Sequence, residues 1–289
     1  MAKKPRIKQT ITTGTGALKQ IMKENLASIT KEMIDQVIAS ARNLPPSQRF
    51  NAIKGVTPNG INAYKSALKN AVSVIAYDAL KQVRKEVPKA RNARLSFEEE
   101  SLQLGEFESL PTDVQNRITA QLQLLTDTQI ADIEKIVYFQ YMSSVDSTDS
   151  ETLLYDDLDQ AVQDYLDGNS VSGGASATAA QTINEARLAF FTDDSVSDEI
   201  DAYQFMNEDP VSEICQDLAG TVFDKDDPDL NRYWPPLHFN CKSWISAILK
   251  GNLGNRETED LADNVTKEGE DSIGFSEPAG PREFFRPKG

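Results

Sequence analysis

Leu18-Lys19-Gln20-Ile21-Met22-Lys23-Glu24-Asn25-Leu26-Ala27-Ser28-Ile29-Thr30-Lys31-Glu32-Met33-Ile34-Asp35-Gln36-Val37-Ile38 carries apolar residues three and four apart along its whole length. That spacing draws one apolar stripe down a single helix face and leaves the charges on the other. It predicts a helix over residues 17–41, stopped by the turn and helix-breaking residues from Asn43 to Pro46. A second stripe begins after the Thr57-Pro58-Asn59-Gly60 turn: Ile61, Tyr64, Leu68, Ala71, Val72, Ile75, Ala79, Leu80 and Val83 predict a helix to Val87, where Pro88 ends it. Two long amphipathic helices joined by a turn-rich stretch predict an antiparallel pair.

Further helices follow by the same pattern. Residues 109 or 111 to 125 read as one, with Pro111 suited to a first turn, 127–142 as another and 150–166 as a third. The run Gly168-Asn169-Ser170-Val171-Ser172-Gly173-Gly174-Ala175-Ser176 has the composition of a linker and predicts a boundary. Helix is expected again over 176–191, and turns with a few short strands from there to Leu249. Residues 251–289 are rich in Asn, Glu, Asp, Gly and Pro, with apolar residues only singly until Phe284-Phe285. They read as a solvated arm of the kind that docks on a partner. The expected fold is therefore mainly α: a helical N-terminal region, then a small α+β domain with short strands, then an extended C-terminal arm. The divisions fall at 1–95 (basic, helical), 96–167 (acidic, helical), 176–250 (the small domain) and 251–289 (the arm).

The 289 residues carry a formal net charge of −15, and that sum hides a division. Residues 1–94 hold 18 Lys+Arg and 5 Asp+Glu, a net of +13; the remaining 12 Lys+Arg and 40 Asp+Glu give −28. Such an asymmetry points the two ends at different partners. Lys3, Lys4, Arg6, Lys8, Lys81, Arg84, Lys85, Lys89, Arg91 and Arg94 are the candidate contacts to DNA or to an acidic protein surface. No aromatic residues interleave them as a base-stacking platform requires, so pairing with the acidic part of the same or a neighbouring subunit stays open. No apolar run reaches the roughly 18 residues of a membrane span, and no apolar stretch follows Met1–Arg6 as in a secretory signal, so a cytosol-like site of synthesis is expected.

The only histidine, His238, lies between the only two cysteines, Cys215 and Cys241. Thiolate and imidazole are the ligands zinc prefers, and His-x2-Cys lets one turn present two of them to one ion. A tetrahedral site needs a fourth partner: Asp209, Glu213, Asp217 or a water. Three protein ligands plus water is also a catalytic zinc arrangement, and a Cys–His nucleophile pair or plain burial of the thiols are the other readings. Pro235-Pro236 fixes two φ angles, pushes Trp234 towards an extended backbone and stiffens the approach to His238.

Residues 176–249 resemble the head-morphogenesis domain of tailed phages typified by the Mu protein F-like minor head proteins. The resemblance rests on Thr182-Ile183-Asn184-Glu185-Ala186 in a helix, then Asp209, then Cys215, then Gly220 with Phe223 behind it. It closes on Pro235-Pro236-Leu237-His238-Phe239-Asn240-Cys241-Lys242-Ser243. It covers about a quarter of the chain. Ser212 stands where the family has the first cysteine of a pair and Ser243 where it has the last, so the family's four-cysteine metal site is halved and any zinc would rest on Cys215, His238, Cys241 and a weaker partner.

The resemblance implies a non-enzymatic minor capsid component of the virion. It would be assembled in the host cytoplasm and act in head assembly, DNA packaging or ejection. Its partners would be portal, major capsid or scaffold protein, in several copies about a symmetric vertex. The alternative drawn from the residues is a metal-assisted hydrolase or nuclease that uses Cys215, His238 and Cys241 with Asp209 or Glu213 as base.

Overall fold

The stretch with linker composition is a helix. In the computed structural model, which describes residues 7–54, 56–88, 95–146, 150–207, 212–238 and 241–268 (of 7–9 and 231, the backbone alone), ten α-helices and three strands are placed among the described residues. The first seven helices are α1 (Ile7–Ala41), α2 (Pro46–Ile53), α3 (Ile61–Glu86), α4 (Glu99–Gln103), α5 (Thr112–Ser144), α6 (Glu151–Asp167) and α7 (Asn169–Phe191). The remaining elements are α8 (Asp194–Ser197), β1 (Ile200–Met206), α9 (Glu213–Asp217), β2 (Val222–Asp224), α10 (Leu230–Tyr233) and β3 (Trp244–Leu249). The architecture is mainly α with one small antiparallel sheet, as the sequence predicts.

α1 and α3 run antiparallel. Thr10 meets Gln82 at one end, Gly14 faces Ile75, and Gly60 and Asn59 reach Ile29 and Glu32 at the other. A Cβ on Gly14 would stand 3.2 Å from Ile75 Cδ1 and 3.5 Å from Ala179 Cβ, so glycine lets three helices close together at this point. The helix expected from residue 17 begins ten residues earlier, and the region expected to be only a turn contains α2.

α7 is the axis of the bundle. From Val171 to Phe191 every residue except Ser172 and Leu188 is buried, against α1 and α3 and also α5 and α6. Gly173, Gly174, Ala175, Ala177, Ala179 and Ala180 give it a narrow waist on which neighbouring helices can approach closely. Glycine costs about 1 kcal/mol per residue in a helix relative to alanine. Burial on all sides offsets that here, which is why the 168–176 run is not a linker and the expected boundary does not separate it from the helices before it. One continuous cluster of buried apolar side chains extends from Ile11 to Leu261.

α5 corrects a second expectation. The two acidic helices expected on either side of residue 126 are one, because Thr126 and Gln129 are buried and the helix is carried through by packing. α6 packs antiparallel to α1, with Arg42–Glu151 at one end and Lys23–Asp167 at the other.

The sheet has the order β2-β1-β3, with both neighbours antiparallel to β1. Phe191, Tyr203, Phe223 and Trp234 form a chain of ring contacts 5.7 to 6.0 Å apart between the end of α7, the sheet and the Pro235 approach. The arm is corrected in part. Glu259 N donates to Val222 O at 2.7 Å, Leu261 is buried, and Thr266 is held by Asp217, so this stretch folds back along the sheet. Residues 269–289, including Phe284-Phe285, lie outside the described residues.

Candidate functional site

Three separate segments build the site. α9 delivers Cys215, the turn after Pro235-Pro236 delivers His238, and the residues entering β3 deliver Cys241 and Ser243. Cys215 Sγ lies 3.2 Å from His238 Nε2 and 3.7 Å from Cys241 Sγ, and the Ser243 hydroxyl donates to it at 3.1 Å. Both thiols are buried and free, while His238 is half-buried. The three ligand atoms all lie within 4.8 Å of one another.

The approach to His238 has the extended backbone expected before Pro235. Trp234 has an extended backbone (φ −72°, ψ 122°), the Pro235–Pro236 peptide is cis, and both prolines are buried. Gly220 precedes β2 with φ +88° and open space about its missing Cβ, so its backbone conformation rather than crowding asks for glycine there. That turn lets Gly220 N donate to Phe205 O and Phe205 N donate to Thr221 O, each at 2.9 Å, across the start of the β1–β2 pairing.

The electrostatics of the two thiols are joined. Burial pushes the Cys241 thiol up, but hydrogen bonds from the Cys215 thiol and from His238, with the His238 charge, outweigh it and hold Cys241 well below the ordinary thiol range. Cys215 goes the other way, first because its thiol bonds to Cys241, then through burial and the Cys241 charge; the hydroxyls of Ser212 and Ser243 oppose that rise. The pair therefore favours one thiolate.

That donor set fits a thiophilic ion such as zinc. Two thiolates about 2.3 Å from one zinc at the tetrahedral angle stand roughly 3.8 Å apart, close to the observed 3.7 Å. Cys215, His238 and Cys241 would hold the ion. Of the fourth partners considered in the sequence, Glu213 is exposed and Asp217 accepts from Thr266 N and Oγ1 at 3.0 and 2.8 Å; Asp209, like Asn240, lies outside the described residues. Ser243 is fully buried beside Cys215 and Ser212 has a buried hydroxyl there too.

The sequence reading missed Arg187 and its partner Glu86 as anchors of this module, and named Asn184 and Trp234 without that role. Arg187, buried in α7, donates to Ile245 O from Nε and Nη2 at 3.0 and 2.7 Å and pairs with both Glu86 oxygens at 2.9 and 2.7 Å. Asn184 Nδ2 donates to Ser243 O at 3.1 Å, and Trp234 Nε1 donates to Asn184 O at 3.2 Å. The available signal was polar Asn184 and Arg187 three apart in a helix of small residues, since buried polar groups must find partners.

The basic candidates divide. Lys81 and Lys85 are exposed. Arg84 is engaged within the chain: it pairs with Glu99 and lies over the Phe190 ring at 5.5 Å. Lys8 belongs to α1 but its side chain is outside the described residues, as are Lys3, Lys4, Arg6, Lys89, Arg91 and Arg94. No helix among the described residues is long and apolar enough to cross a membrane. In comparisons with family models, curated proteins and solved structures, nothing matches the chain.

Proposed function

We propose that this chain is a minor structural protein of a tailed-phage head, similar to the Mu protein F-like head-morphogenesis proteins, acting at the portal or inner capsid without catalysing a reaction. The observation that supports the reading is the convergence of Ser212, Cys215, His238, Cys241 and Ser243 on one buried point. Cys215, His238 and Cys241 are among the positions on which the sequence resemblance rests, Ser212 and Ser243 are those at which the chain departs from the family, and the five come from segments that sequence spacing alone does not bring together. In this reading the cluster is a structural fastening. Zinc, when bound, supplies a crosslink between α9, the His238 turn and β3, which Asn184 and Arg187 tie to the bundle.

The experiment is isolation of proheads and filled heads. The chain should copurify with portal in several copies per particle; its absence from purified heads would overturn the reading. The competing reading, a metal-assisted hydrolase or nuclease, draws on the 3.2 Å contact of Cys215 with His238. It requires that His238→Ala abolish an activity while the fold survives, and a metal-free protein with no such activity removes it.

A further inference from the structure

The end of the bundle away from the sheet carries exposed apolar side chains. Phe139 and Met142, three apart on the outer face of α5, are 77% and 38% exposed, and Leu153, in the first turn of α6, is 59% exposed. Phe50 of α2 is 56% exposed at the same end, where Arg49 pairs with Asp146. One exposed apolar residue is ordinary; several gathered at one end of a bundle mark an interaction surface. The surroundings are acidic, with Asp156 and Asp157 exposed on α6 and Asp146 and Glu151 largely exposed at the turn.

The chain itself contains the complement. Residues 282–289 read Arg282-Glu283-Phe284-Phe285-Arg286-Pro287-Lys288-Gly289, with two adjacent aromatics, three cations and one anion. We propose that the Phe284-Phe285 segment of one copy docks on the Phe139, Met142 and Leu153 surface of a second copy, with Arg282, Arg286 and Lys288 facing the acidic rim.

Reach selects the second copy over the same one. Thr266 is fixed to Asp217 beside the sheet, at the end of the bundle where Arg117 meets Glu185. From Arg117 to Phe139 is 22 residues of α5, about 33 Å along the axis at 1.5 Å per residue. The width of the sheet module and a helix diameter of about 10 Å must be crossed as well. The 16 residues from Glu268 to Phe284 span at most roughly 53–58 Å when fully extended and average about 20–24 Å as a flexible chain, so docking within one chain demands a strongly stretched arm. A neighbouring copy imposes no such demand, and a head-to-tail contact of this kind builds rings or filaments rather than closed pairs. The inference does not depend on the family resemblance.

The test uses the full chain. Phe139→Cys and Phe285→Cys variants are prepared separately, mixed, exposed to oxidised glutathione and resolved on a non-reducing gel; the native thiols are buried. The docked arm predicts a crosslinked heterodimer as the main product, in several-fold excess over either homodimer. Phe139→Cys homodimers in excess would mean that the two surfaces pair with each other, and no heterodimer would mean that the arm does not dock in trans; either overturns the proposal. A second measurement, sedimentation of Phe284→Ser/Phe285→Ser with unchanged helical circular dichroism, should show self-association weakened at least tenfold. Self-association equal to that of the parent, or a parent that does not associate, overturns it too.

Discussion

Arg187 and Glu86 meet through two hydrogen bonds, 2.9 and 2.7 Å long, with Arg187 almost fully buried. The same guanidinium holds Ile245 O, so one side chain joins α7, α3 and the first residues of β3. Removing one member leaves the other charged and desolvated. Glu86→Ala or Arg187→Ala should each destabilise the protein by about 3–5 kcal/mol in denaturant titration. Arg187→Met combined with Glu86→Leu should recover a large part of that loss. Equal damage from the double variant would mean that the hydrogen bonds to Ile245 O, rather than the ion pair, carry the junction.

The narrow waist of α7 gives a second prediction. Ala179 is fully buried and Gly14 packs on it. Ala179→Leu adds a side chain where three helices converge and should cost about 1–3 kcal/mol or more through overpacking. The reverse change at half-buried Leu188 of the same helix, Leu188→Ala, should be far milder. Were 168–176 the linker its composition suggests, helix-breaking Ala175→Pro would be tolerated; here it should cost about 3 kcal/mol or more.

Asp193 supplies the pH dependence. Burial raises its carboxyl, but hydrogen bonds from Ser195 Oγ and N at 2.6 and 3.0 Å and from Ser96 N at 2.7 Å outweigh it and hold the group below the ordinary carboxylate range. Because the folded value is depressed, the contribution is present above the unfolded value of about 3.9 and is lost as pH falls through the folded one. Asp193→Asn should be less stable by about 1–2 kcal/mol at pH 7, and the gap should narrow on acidification below about pH 4. A gap independent of pH down to pH 2 would contradict this assignment.

Metal retention tests the Cys215 cluster. After dialysis against a weak chelator, Cys241→Ser should lose zinc, while Ser243→Cys, which adds a thiol beside Cys215, should hold it at least tenfold more tightly. Both are read by elemental analysis and by the shift in melting temperature on adding zinc. If parent and Ser243→Cys are both metal-free and unshifted, the fastening works by packing alone.

The amphipathic stripes of α1, α3 and α6 were legible because each buries one face, and a one-sided helix writes its period into the sequence. The helix over 176–191 was expected, but the first two turns of α7 were not, for the opposite reason. Buried on all sides, α7 has no polar face to set a period, and its Gly173, Gly174 and Ser176 match linker composition. α5 was cut in two because Thr126-Asp127-Thr128 are weak helix formers locally, whereas the burial of Thr126 and Gln129 is a tertiary matter. At the site, the ligand trio was legible because Cys and His occur nowhere else in the chain. Its anchors Asn184, Arg187 and Trp234 act on backbone carbonyls far away in sequence, a relationship that leaves no spacing to read.

The proposed role is tested most directly by a cryogenic electron microscopy map of the assembled head, into which α1, α3, α5, α6 and α7 can be fitted as one bundle. The account predicts several copies of that bundle at the portal vertex or on the inner capsid wall. A head complete in portal and capsid protein, with no density for the bundle and none of this chain by mass spectrometry, would contradict it.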